Sequence, residues 1–205
     1  MTGFPLEQVT NGAELRLGAG TFQVTAPLVI DKDIVLTGAG QNSTTITMGG
    51  TNDLIISVTE AEVTITDLTT DGGFGVNVNE SEIDIQRVTF QRSSLDGLTI
   101  SNSVGTVTDS ISQDNAVGGF SWAGETSGVA SNNTAQNNQI DGFEIGWSAA
   151  LELTGNTSKD NAGAGFAWYD EASGVASNNT AQNNQYKAFD NQSSGDLELW
   201  NNNEE

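Results

Sequence analysis

Glu144, Asp170 and Glu171 lie close in sequence to Trp147 and Tyr169, in a chain of 205 residues. Two carboxyl groups about 5 Å apart suit a retaining glycosidase, and two about 6.5–9.5 Å apart an inverting one. An exposed aromatic ring beside them offers a platform for a sugar. These five residues are the candidate carbohydrate-binding set, for a neutral glycan. The competing reading is plain solvated surface, and sugar binding without chemistry ranks ahead of catalysis.

Other chemistries are removed by composition. The chain has no histidine and no cysteine, so thiolate nucleophiles, zinc sites and disulfides are out. Against 27 Asp and Glu stand only 6 Lys and Arg, a net charge of −21. Such a surface repels nucleic acid and anionic lipid, so neither nucleic-acid binding nor membrane insertion is expected. No apolar run approaches the roughly 20 residues a span needs, and Met1 to Thr10 lack the basic start of a signal peptide. Gly-Ala-Gly triplets begin at Gly18, Gly38 and Gly163, but none has the third glycine of a dinucleotide loop; they read as turns. No EF-hand loop is present. No cofactor and no defined metal site are expected, only weak calcium binding by outward carboxylates.

The elements that must position any site repeat along the chain. SGVASNNTAQNNQ at Ser127–Gln139 recurs unchanged at Ser173–Gln185, and a diverged copy at Ala150–Ala162 halves the interval to 23 residues. Phe120, Phe143, Phe166 and Phe189 keep that spacing. So do Asn115, Asn138, Asn161 and Asn184, and Asn133, Asn156 and Asn179. Upstream the period loosens to about 20–22 residues, with alternating runs such as Val63 to Leu68 and Ile83 to Val88. Short strands and Asn/Gly turns at this period define one coil of a parallel β-helix. The expected fold is an all-β solenoid of about eight to nine three-strand coils, stacked about 4.8 Å apart. Residues 1–14 are expected to cap it, with 15–205 forming the helix and stopping within a coil.

In such a stack each residue sits above its equivalent one coil down. The phenylalanines then form an interior stack with Trp122, Ile145 and Trp168 two residues further on, pointing the same way. The asparagines are expected to be buried ladders at tight turns, supporting left-handed backbone and bonding the neighbouring coil.

Glu14 to Ile46, ELRLGAGTFQVTAPLVIDKDIVLTGAGQNSTTI, resembles the opening coils of pectate-lyase-like right-handed β-helix proteins. The later SNNTAQNN segments followed by Gly-Phe are similar to the parallel β-helix repeats of carbohydrate-binding and sugar-hydrolase proteins. The resemblance implies a right-handed coil, an extracellular or cell-surface location and a polysaccharide partner. Polygalacturonase-type and alginate-epimerase-type sites need histidine, which is absent. Pectate lyases use calcium-binding aspartates with an arginine base, so the resemblance points to Asp67, Asp71, Arg87 and Arg92 as the catalytic candidates; the alternative for these is solvated charge on outward strand positions.

The preferred function is a non-catalytic structural or weakly glycan-binding module of a secreted or surface protein. The alternative is a polysaccharide lyase or glycoside hydrolase. Enzyme sites on solenoids sit on long irregular loops, and none interrupts residues 105–195.

Overall fold

In a computed structural model, which describes residues 9–49 and 53–205, the chain winds into about eight coils of parallel strands, with no α-helix among the described residues. Residues 1–8, most of the expected cap, lie outside the described residues; the first strand, Ala13–Arg16, already pairs with Ile34–Thr37.

Each coil contributes to three faces, as residues 127–145 illustrate. Ser127–Ser131 lies on the first face, Thr134–Gln136 on the second and Phe143–Ile145 on the third. The third face is a separate eight-stranded sheet that runs from Leu28–Ile30 to Phe189–Asn191. In Glu62–Asp71 and Glu82–Gln91 the first two faces merge into ten-residue strands that bend at Asp67 and Arg87.

Strand residues alternate between buried and half-exposed because the pleat sends successive side chains to opposite faces. Inward Ile, Leu and Val fill the early coils, and the aromatic series fills the later ones. Phe120 stacks on Phe143 at 5.2 Å between centroids, Phe143 on Phe166 at 4.7 Å, and Phe166 on Phe189 at 5.1 Å. Trp122 and Trp168 are 3% and 0% exposed, so they belong to this core, as their spacing predicts.

Two corners carry asparagine ladders. In one, the Oδ1 of Asn156 accepts the backbone N–H of Asn133, and the Oδ1 of Asn179 does the same for Asn156. In the other, Asn138 accepts from Asn115, Asn161 from Asn138, and Asn184 from Asn161. Asn202 extends the first ladder by one rung.

The left-handed backbone expected at the ladders lies one residue earlier. The buried asparagines are not themselves left-handed; the residue before each one is. Asn132, Asn137, Asp160 and Asn178 have φ of 55–56° and point outward. Reversing the chain at that residue aims the next side chain inward, where its amide meets carbonyls of the preceding coil, as Asn133 Nδ2 meets Val107 O and Asn161 Nδ2 meets Ala135 O.

A second correction concerns the coil length. Between residues 62 and 123 the register spacing is 20–22, but the first coils are longer: Gly20 pairs with Thr44, and Ile34 with Val63. Part of the extra length is a turn in which Gly40 O accepts the amides of Ser43 and Thr44.

Candidate functional site

The candidate cluster implied by the resemblance resolves into two ion pairs. Arg87 stacks one coil above Asp67, because Thr66 faces Gln86 and Leu68 faces Val88. Its Nε donates to Asp67 Oδ1 at 2.7 Å and its Nη2 to Oδ2 at 2.8 Å, with Thr66 Oγ1 accepting from Nη2 at 2.9 Å. Arg92 forks Asp71 in the same way, Nε to Oδ1 at 2.8 Å and Nη2 to Oδ2. The guanidinium of Arg87 holds the Asp67 carboxyl below its ordinary range, and that carboxylate pushes Arg87 further from deprotonation. A lyase base must give up its proton, and calcium-binding aspartates must be free to face the ion. Here the carboxylates and guanidinium groups neutralise each other pair by pair. Among the described residues, no group of three or more Asp and Glu is arranged to hold a metal ion.

The five glycan candidates fall on the outer side of the eight-stranded sheet and on the turns that leave it. Register places Thr99, Ser121, Glu144, Ala167 and Asp190 in one outward column across successive coils. Three residues before each of these lies a second column, which holds Asp96, Gly118, Asp141, Ala164 and Lys187. Aspartate therefore alternates with a small residue, whose amide is the aspartate's partner. Gly118 N–H donates to Asp96 Oδ1 at 2.7 Å and Ala164 N–H to Asp141 Oδ1 at 2.6 Å.

Tyr169 completes the strip. It follows the inward Trp168, so its ring lies outside, and its hydroxyl donates to Asp141 Oδ2 at 3.1 Å, back toward the start of the preceding coil's strand. Ala167, in the outward column, is 0% exposed. At the far end Asp190, with a side chain 1% exposed, accepts from Lys187 Nζ at 2.5 Å and Gln192 Nε2 at 2.7 Å.

Burial sets the protonation of this strip; hydrogen bonds oppose it at Asp96 and Asp141, and mutual repulsion adds to it. The carboxyls of Asp96, Asp141 and Glu144 are all pushed above the ordinary range, first by desolvation. Asp141 also raises Asp96, Asp190 raises Asp141, and both Asp96 and Asp141 raise Glu144. The Tyr169 phenol is pushed up by burial and by Asp141, so it holds its proton. Asp190 moves the other way, because Lys187 donates to it.

Exposed apolar groups border the strip. On the side where the strands leave, Trp147 is 69% exposed, with a left-handed backbone at φ 58° and its N–H on Asp170 Oδ2 at 3.2 Å. Glu171 closes the same turn by donating its N–H to Trp147 O. On the side where the strands enter stand Leu95, Ile140 and Tyr186, each exposed. Asp96, Asp141 and Asp190 were not apparent as site residues from the sequence. The signal that marks the first two is the shared pattern of Asp96-Gly97-Leu98-Thr99 and Asp141-Gly142-Phe143-Glu144.

Parallel coils with three faces, stacked in register and closed by asparagine ladders, define a right-handed parallel β-helix. The chain belongs to the family described as "Right handed beta helix region", whose profile matches residues 53–203. No curated protein matches the chain. Among solved structures it is similar to the Azotobacter vinelandii mannuronan C-5 epimerase AlgE4 A-module, with a TM-score of 0.64 and 22% identity over 93% of this chain and 68% of that one. Pectate lyase Pel9A gives a TM-score of 0.73 at 16% identity, over 96% of this chain and 63% of that one. The periplasmic alginate epimerase AlgG gives 0.60 at 11%, over 95% and 70%. The chain thus spans about two thirds of the length of these neighbours, and at such identities the likeness is one of fold.

Proposed function

We propose that this chain is a rigid, non-catalytic β-helix module that binds a neutral polysaccharide along the outer side of its eight-stranded sheet. The observation that carries this reading is the exposed Trp147 ring beside a strip whose partly exposed hydroxyl and carboxyl groups are Thr99, Glu144 and Tyr169. An aromatic face packs against the apolar side of a sugar ring, and the polar strip supplies acceptors for its hydroxyls. A uronate polymer fits poorly, because the one lysine on the strip is engaged by Asp190 and a −21 chain repels polyanions. A location outside the cell or at its surface accords with the periplasmic origin of one fold neighbour.

A catalytic reading draws support from one feature. Burial of Glu144 beside Asp96 and Asp141 keeps its carboxyl protonated to higher pH than usual, as a general acid requires. The two readings separate in one experiment, in which purified chain is incubated with neutral and acidic polysaccharides, with and without calcium. Retention on a neutral glycan without oligosaccharide release supports the binding module. Oligosaccharide release that disappears in Glu144→Gln assigns an enzyme instead, a polysaccharide lyase where the new chain end is unsaturated and a glycoside hydrolase where it is saturated.

A further inference from the structure

A solenoid in register multiplies every charge it carries, because equivalent residues in successive coils stand about 4.8 Å apart. Glu62 lies directly opposite Glu82. Glu60 and Glu80 occupy the corner two residues earlier in the same two coils, both with φ 51°. Asp33 stands beside them, accepting the Glu62 N–H at 2.9 Å. These five carboxylates line one shallow groove whose described lining contains no Lys or Arg. Like charges directly opposite one another across a sheet are destabilising.

The chain's own cations do not relieve this. Arg16 pairs with Glu14, Arg87 with Asp67, Arg92 with Asp71 and Lys187 with Asp190, so four of the six are each held by one carboxylate elsewhere. A fifth, Lys32, donates to the Val9 carbonyl. With 27 acidic groups in all, the remaining negative charge has to be screened from solution.

We infer that the fold depends on dissolved cations, held as a diffuse layer over stacked carboxylates rather than at a discrete site, and that the protein is built to work in concentrated salt. This inference is independent of the glycan reading: it follows from the charge and register of the coils, and sugar binding can fail while it holds.

Thermal melting of the purified chain at neutral pH, from about 10 mM to about 0.5 M KCl, tests it. The expected result is a midpoint that climbs by about 5–10 °C over that range. The quadruple variant Glu60→Gln, Glu62→Gln, Glu80→Gln, Glu82→Gln should melt higher than the parent at 10 mM KCl and climb less; the double variant Glu62→Gln, Glu82→Gln should do the same to a smaller degree. A midpoint indifferent to KCl would overturn the inference, as would variants that keep the parent's full climb. Stabilisation complete at about 1 mM calcium chloride, with none from KCl, would also overturn it, since that is the signature of a discrete site.

Discussion

A single oxygen of Asn156, Oδ1, accepts both amides of Asn133, the backbone N–H at 2.9 Å and the side-chain Nδ2 at 3.1 Å. The Nδ2 of Asn156 in turn donates to Ala130 O at 2.8 Å and to Asn179 Oδ1 at 3.0 Å. One side chain thus ties three coils together, and it is 1% exposed. Leucine there would leave two buried donors of Asn133 without that acceptor. Asn156→Leu should cost about 3 kcal/mol, a fall in melting midpoint of roughly 6–12 °C. An unchanged midpoint would remove the ladder from the account.

Stability should also depend on pH through the sheet's acidic strip. The folded-state values of Asp96, Asp141 and Glu144 lie above the ordinary carboxyl range, so the folded chain binds these protons more tightly than the unfolded chain. Their favourable contribution is complete below about pH 4 and is lost as pH rises through the raised values. Asp33, Asp67 and Asp190 are lowered and act oppositely, losing stability only as pH falls below about 4. At constant salt the midpoint should be higher at pH 5 than at pH 8, and Glu144→Gln should narrow that difference. An equal or wider difference in the variant would refute the assignment.

The Arg87–Asp67 pair should matter little. Both side chains are partly exposed, and such pairs contribute about 0.2–1 kcal/mol. Arg87→Ala is expected to lower stability by no more than that and to leave polysaccharide binding unchanged, which denaturant titration and gel retardation would check. Loss of binding would return this cluster to the functional site.

Within the core, Trp168 buries its Nε1–H without a hydrogen-bond partner. Trp168→Phe trades lost volume against relief of that donor and should cost under about 1.5 kcal/mol, whereas Phe166→Ala, which empties the middle of the ring stack, should cost about 3–5 kcal/mol. Urea unfolding of the two variants gives the comparison, and equal losses would mean that the orphaned donor carries no penalty.

The phenylalanine and asparagine series were legible in the sequence because in-register stacking demands the same residue type at the same phase. The acidic strip was not. Asp96 and Asp141 sit in alternate coils, the coil between carries Gly118 and the one after Asp141 carries Ala164, so no single-residue series appears at the coil spacing. Tyr169 reaches Asp141 across 28 residues, an interval that is no multiple of the coil spacing. The third corner was equally hidden. Its hydroxyls form a ladder, with Ser103 Oγ accepting from Ser81 N–H and Thr126 Oγ1 from Ser103 N–H, yet serine and threonine are too common elsewhere in the chain to mark it. Left-handed corners were misplaced by one residue because Asn132 and Asn133 are adjacent and identical in type, and only the backbone distinguishes them.

The most direct test of the account is affinity electrophoresis of the parent chain and Trp147→Ala through gels containing neutral or uronate polysaccharides, in concentrated salt without calcium. The account predicts retardation by at least one neutral polysaccharide, a roughly tenfold weaker interaction in Trp147→Ala, and no retardation by the uronates. Free passage through every neutral gel, or retardation by uronates that Trp147→Ala leaves intact, would contradict it.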